Sequence, residues 1–120
     1  MERIVVCDID GVVCLMDDQP RPSVSTILRE LQRHMPLVFV TFRHHDRYLD
    51  TMNWLQAQQF NVRNLIMRGR SARPLTFKRE TLEWLMLDFE IGLFFEDDPD
   101  VCRMARELAV PTVYVPYGEQ

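Results

Sequence analysis

The sequence predicts an α/β domain: a three-layer sandwich around one five-stranded parallel sheet. Three observations carry this. Short, continuous apolar runs alternate with segments of helical periodicity from end to end. The runs are apolar at consecutive positions, as in strands covered on both faces, and not at alternate positions as in a sheet wet on one side. With 120 residues there is room for one core, and 47% apolar content is enough to fill it.

Ile4-Val5-Val6-Cys7 is the first such run, and it reads as a central strand. An irregular stretch follows from Gly11 to Arg21. Pro22-Ser23 then opens a helix in which Val24, Ile27, Leu28 and Leu31 recur at helical spacing, ending near His34 before Pro36. Leu37-Val38-Phe39-Val40 is the second strand, closed by Thr41. Leu49, Met52 and Leu55 mark a helix from about Asp46 to Gln59, and Val62 to Met67 forms a third, less continuous strand. Leu82, Leu85 and Met86 share one face of a helix from about Thr76 to Leu87, and Ile91 to Phe95 is the fourth strand. Pro99 stands where the first helical turn tolerates proline, with Val101, Met104, Ala105 and Leu108 behind it. Thr112 to Val115 completes the sheet. No repeat, linker or low-complexity segment interrupts the pattern, so residues 1–120 read as a single domain.

Composition removes several function classes. No apolar run approaches the roughly 18 to 20 residues of a membrane span, and strand-like sequence begins almost at Met1, so the expected location is cytoplasmic. Cys7, Cys14 and Cys102 are odd in number, widely spaced and set among apolar neighbours; buried free thiols are expected. A formal charge of −4 argues against a generic electrostatic grip on nucleic acid. The charge is unevenly spread, however. Between Asp50 and Glu80 there is no acid, while Arg63, Arg68, Arg70, Arg73, Lys78 and Arg79 fall there; Glu96, Asp97, Asp98 and Asp100 crowd together further on. Of the 14 basic residues only Lys78 is lysine.

In a doubly wound sheet the chemistry gathers at the carboxyl ends of the strands, near the point where strand order reverses. Strand one ends in Asp8-Ile9-Asp10-Gly11, strand two in Thr41, strand four in Glu96-Asp97-Asp98, and Lys78 lies at the start of the helix leading into strand four. Asp8 and Asp10 face the same way at strand spacing. Joined by Asp97 or Asp98, they repel one another unless a cation sits between them, and a hard divalent ion such as Mg²⁺ suits an all-oxygen set. One carboxylate can then attack phosphorus while its neighbour serves as general acid and base. Thr41 offers a hydroxyl and Lys78 an ammonium to phosphoryl oxygens, and Gly11 allows a tight turn beside them. Asp97-Asp98 before Pro99 also suits a helix cap.

These motifs resemble those of the haloacid dehalogenase-like (HAD) phosphohydrolases along essentially the whole chain. Asp8-Ile9-Asp10-Gly11-Val12 is similar to the first motif of that family, Val38-Phe39-Val40-Thr41 to the second, Lys78 to the third, and Phe95-Glu96-Asp97-Asp98 to the fourth. The resemblance implies Asp8 as nucleophile and Asp10 as acid/base. It also implies Mg²⁺ held by Asp8, by Asp10 through its backbone carbonyl, and by Asp97 or Asp98. Asp10 to Val24 leaves room only for a short flap, and Phe42 to Phe77 is consumed by a helix, a strand and a loop, so the domain looks capless. An open site accepts a bulky substrate such as a phosphorylated polynucleotide end, or is closed by a second copy in a homo-oligomer.

A narrower similarity, to the 3′-phosphatase domain of phage-type polynucleotide kinases, rests on Thr41-Phe42-Arg43 where that domain has Ser-Gly-Arg, and on Leu65-Ile66-Met67-Arg68 before a basic stretch. It implies that Arg43 and Arg68 or Arg73 contact substrate phosphate. Phe42 replaces the small Gly and narrows the approach to Thr41. His44 and His45 read as loop residues. The expected function is Mg²⁺-dependent phosphomonoester hydrolysis on a nucleic-acid 3′-phosphate or a nucleotide. A small-metabolite phosphatase and a catalytically silent HAD-like binding module are the alternatives. A two-component receiver domain is excluded, because it needs a lone Asp after strand three and a Lys after strand five, where Met67-Arg68 and Pro116-Tyr117 stand.

Overall fold

Residues 1–68 and 73–116 are described by a computed structural model. Five parallel strands, β1 (Glu2–Cys7), β2 (Leu37–His44), β3 (Val62–Arg68), β4 (Phe89–Glu96) and β5 (Thr112–Tyr114), lie in the order β3-β2-β1-β4-β5. Between them run α1 (Pro22–Leu31), α2 (Tyr48–Ala57), α3 (Pro74–Leu85) and α4 (Pro99–Glu107). The chain first winds outward from β1 through β2 to β3. It then crosses back to β4, on the other side of β1. Strand order therefore reverses at β1, and the gap at its carboxyl end is where such sheets bind ligands.

Alternation along the strands assigns the two cores. Val5, Cys7, Leu37 and Phe39 point to the layer that holds Leu28 of α1 and Leu55 of α2. Ile4, Val6, Val38 and Val40 point to the layer that holds Leu82 and Leu85 of α3 and Val101, Met104 and Ala105 of α4. Every one of these side chains is buried, which is why the strands read as unbroken apolar runs. All three cysteines are buried free thiols, and burial pushes the Cys7 thiol well up and that of Cys102 to about 11.

Several boundaries differ by one to three residues from those read in the sequence, and three of them have a clear physical reason. Helix α3 starts at Pro74, two residues before Thr76, because proline suits the first helical position; Pro22 and Pro99 open α1 and α4 in the same way. Helix α2 begins at Tyr48, since His45–Arg47 form a 3₁₀ turn ahead of it. Most consequential, β2 continues past Thr41 to His44. Its pairing with β3 shifts register between Thr41 and His44, and His44 then aligns with Arg68. Phe42-Arg43-His44 is only partly buried, and it lacks the apolar run that marks a strand.

Gly11 to Arg21 is short and built of tight turns. Gly11 has φ 81°, a conformation open to glycine, and its N–H donates to the Cys14 carbonyl at 2.9 Å. The buried Arg21 ties this stretch down: its guanidinium donates to the Gly11 and Pro116 carbonyls, both at 2.9 Å. Among the described residues, no helix is long and apolar enough to cross a membrane.

Candidate active site

The floor of the site is a buried charge cluster. Asp8 follows directly on β1, its N–H donating to the Phe95 carbonyl of β4 at 3.0 Å, so β1 and β4 are laced together up to the acid itself. Its Oδ1 accepts from the Ile9 N–H at 2.8 Å and lies 3.1 Å from Lys78 Nζ. Lys78, from the second turn of α3, also donates to Glu96 Oε1 at 2.6 Å. Asp8, Lys78 and Glu96 are all at least 95% buried, with Glu96 the deepest at 1% exposure. The other oxygen of Glu96 accepts from the N–H groups of Asp97 and Asp98, each at 3.1 Å, and so folds the acidic turn over the floor.

Burial pushes the Asp8 carboxyl well above the usual carboxylate range; Lys78 counters this, and Glu96 and Asp97 reinforce it. Asp97 is pushed to about 6, chiefly by burial and then by Glu96. Burial disfavours the Lys78 ammonium, but Asp8 and Glu96 more than offset that and raise its pKa. Three carboxylates thus face a single ammonium. Oxygens of Asp8, Glu96 and Asp97 come within 4.8 Å of one another, and that surplus of negative charge on an all-oxygen donor set fits a hard divalent cation.

The rim has a different character. Thr41 is buried, and its Oγ1 accepts from the Arg43 N–H at 3.2 Å. Asp10 turns away from the floor and meets Arg43 in a two-bonded fork, with Nε to Oδ2 at 2.9 Å and Nη2 to Oδ1 at 2.7 Å. Its side chain is 58% exposed, whereas that of Arg43 is 7% exposed. The paired carboxylate raises the Arg43 pKa. Arg68 stacks over the Phe42 ring at 4.5 Å, and Phe77 meets the same ring at 6.1 Å.

Asp8, Asp10, Thr41, Arg43, Lys78, Asp97 and Asp98 all line one cavity of about 290 Å³, together with Glu96, Phe42 and Pro74. Of the four acids expected at a metal, Asp8 and Asp97 belong to the close cluster. The Asp10 carboxylate meets Arg43; the metal contact expected of Asp10 is through its backbone carbonyl. Asp98 caps α4, its Oδ1 accepting from the Asp100 and Val101 N–H groups at 2.8 and 3.5 Å. Gly11, Arg68 and the exposed Arg73 do not line the cavity. Arg70 lies outside the described residues, and Arg63 and Arg79 form surface pairs with Glu2 and Glu83. His44 ends β2 and pairs with Asp46. Glu96 is the participant that sequence reasoning passed over. Its signal was an acid at the last position of a strand buried on both faces, where an unpaired charge would be untenable. A larger hollow, about 630 Å³, lies among Gln32, Gln56, Gln59 and Asn61; it contains no comparable charge cluster, so chemistry and not volume selects the site.

A doubly wound sheet ordered β3-β2-β1-β4-β5 with an acidic floor beyond β1 has the HAD-like Rossmannoid fold. No family model matches the sequence, and no curated protein does. Among solved structures, the chain is similar to one described as the Pnkp1/Rnl/Hen1 complex, with a TM-score of 0.86 and 22% identity over 100% of this chain and 48% of that one. A second, the Pnkp1/Rnl/Hen1 RNA repair complex, gives 0.84 and 21% over 100% and 44%. The HAD domain of the effector protein Lem4 from Legionella pneumophila gives 0.62 and 13% over 99% and 88%. The chain spans about half the length of the first two.

Proposed function

We propose that this chain is a single HAD-type phosphatase domain, a Mg²⁺-dependent phosphomonoesterase acting through an aspartyl-phosphate. The observation that carries the reading is the division of labour at Asp8 and Asp10. Two carboxylates two residues apart face opposite environments, one locked over Lys78 and Glu96, the other held open at the rim. That is the arrangement an enzyme needs when one carboxylate attacks and its neighbour handles protons.

In this mechanism a phosphate monoester enters the cavity and Asp8 Oδ attacks phosphorus. The P–O bond to the leaving group breaks, and the Asp10 carboxyl gives its proton to the departing oxygen. Asp10, now a carboxylate, takes a proton from a water that attacks the phosphorus, releasing inorganic phosphate and restoring Asp8. Thr41 Oγ1 already accepts from the Arg43 N–H, which leaves its own proton free for a phosphoryl oxygen. Lys78 holds the Asp8 carboxylate and faces the developing negative charge. Asp8, Asp97 and the Asp10 carbonyl would hold Mg²⁺, with Glu96 and Asp98 behind them; the ion would supply positive charge that lets a phosphate dianion approach a carboxylate. Gly11, Arg68 and Arg73 are proposed to meet the substrate at the rim.

The substrate we favour is a nucleic-acid 3′-phosphate or a nucleotide. The fold likeness to chains of the Pnkp1/Rnl/Hen1 complex, one of them described as an RNA repair complex, supports this, as does the cavity's position at the carboxyl end of the sheet. We predict Mg²⁺-dependent hydrolysis of p-nitrophenyl phosphate that Asp8→Asn abolishes; surviving turnover in that variant would remove Asp8 as nucleophile. Phosphate release from a 3′-phosphorylated oligonucleotide should exceed that from free nucleotides. Equal or better turnover of mononucleotides would favour a small-metabolite phosphatase.

A further inference from the structure

The geometry at the rim points to Arg43 as the positioning residue of Asp10: we propose that it aims the acid/base carboxyl, and that it is not primarily a ligand for substrate phosphate. This role rests on the phosphatase reading above.

Arg43 has little left to offer a substrate. A guanidinium carries five N–H donors. Nε and one Nη2 hydrogen go to the two oxygens of Asp10, Nη1 donates to Thr51 Oγ1 at 3.2 Å, and Nη2 also reaches Cys14 Sγ at 3.5 Å. Asp18 adds a further carboxylate at 3.9 Å. Four of the five donors are therefore directed at protein atoms, and the side chain is 7% exposed.

Asp10, by contrast, has no other side-chain partner among the described residues. With 58% of its side chain exposed, it would turn freely in water were it not gripped along both oxygens. A two-bonded fork sets the plane of a carboxylate as well as its distance. The fork is itself braced from behind. Thr51 is fully buried on α2, and Cys14 is buried in the turn after Gly11, so the guanidinium is pinned between two separate elements. An acid/base group must sit within hydrogen-bond reach of the leaving oxygen. The extension of β2 past Thr41 supplies that placement, because it carries Arg43 to the level of Asp10.

Leaving-group dependence separates this role from phosphate binding. p-Nitrophenolate departs with little help from an acid, whereas the alkoxide of β-glycerophosphate needs a proton. Arg43→Lys keeps the charge but loses the fork. It should lower kcat on β-glycerophosphate at least about tenfold more than on p-nitrophenyl phosphate, within the range expected of misplaced general acid catalysis. Added to Asp10→Ala, it should cost less than about twofold further on p-nitrophenyl phosphate, since two residues acting as one unit are not additive. Thr51→Val, which removes only the brace, should show the same leaving-group bias more weakly, and it serves if Arg43→Lys folds poorly. An equal KM rise for both esters, with full additivity on Asp10→Ala, would overturn the proposal in favour of Arg43 as a phosphate ligand. A wild-type chain that hydrolyses neither ester in Mg²⁺ overturns the phosphatase reading, and this role with it.

Discussion

The floor and the rim of the cavity lie within one strand's length of each other, yet they are held by opposite physics. In the floor, Asp8, Lys78 and Glu96 are withdrawn from water and satisfy one another, with Lys78 Nζ bridging at 3.1 and 2.6 Å. In the rim, a half-open carboxylate is gripped by a guanidinium that is itself buried. Groups of the first kind are costly to leave unpaired, because no solvent can replace a lost partner. The exposed carboxylate of the second kind loses orientation when its partner goes, while water takes over much of its charge. Stability should therefore reside in the floor and aim in the rim.

The largest expected effect tests that division directly. Lys78→Met leaves Asp8 and Glu96 facing each other without a cation and should cost about 3–5 kcal/mol in urea unfolding, as well as all turnover. Lys78→Arg should fail in catalysis too, since a planar fork does not fit where a compact ammonium sits between two carboxylates. Asp10→Ala, on the rim, opens Arg43 to water and should cost less, about 1–2 kcal/mol. If the two losses were equal, the contrast between floor and rim would be false.

How much of this was legible in the sequence follows the same line. The five strands were, because burial on both faces writes itself as unbroken apolar runs such as Ile4 to Cys7 and Leu37 to Val40. The gathering of Asp8, Thr41, Lys78 and the acidic turn was also legible, since parallel strands bring their carboxyl ends to one edge. Glu96 was not. An acid closing the run Leu93-Phe94-Phe95 looks like the first residue of a surface turn, and only the structure shows its oxygens spent on Lys78 and two backbone N–H groups. Asp97 and Asp98 looked interchangeable; they differ because α4 takes Asp98 for its cap. The Asp10–Arg43 fork was hidden most deeply, as it depends on a register shift beyond Thr41 that no periodicity records.

A middle-sized effect concerns the surplus charge of the floor. In the folded chain Asp97 keeps its proton up to about 6, against an ordinary value of 3.8. Across that window the native state binds more protons than the unfolded one, so this group's contribution to stability falls as pH rises. Asp8 shifts in the same direction. In the presence of a chelator, the melting temperature of the wild type should thus drop between pH 5 and pH 7 relative to that of Asp97→Asn. Millimolar Mg²⁺ should restore it at pH 7 and do much less at pH 5, where cation and proton compete for the same oxygens. A Mg²⁺ response equally large in Asp97→Asn would detach the cation from the floor.

The smallest effect on stability is expected at Arg68, where floor and rim meet through Phe42. Its guanidinium gains from lying over the Phe42 ring, worth about 0.5–1 kcal/mol at a partly open position. Against that, its Nε is buried without a hydrogen-bond partner among the described residues, a loss of about 1 kcal/mol at a partly open position. The two nearly cancel, so Arg68→Met, which preserves length and apolar contact with the ring, should shift unfolding by less than about 0.5 kcal/mol. Stability alone therefore gives no reason for a charge at this position. If the charge serves substrate, the KM for a 3′-phosphorylated oligonucleotide should rise severalfold in Arg68→Met while that for p-nitrophenyl phosphate stays put, because only the longer substrate reaches past Phe42. If neither KM moves, Arg68 does no more than pack on Phe42, and the rim's contribution reduces to the aim of Asp10.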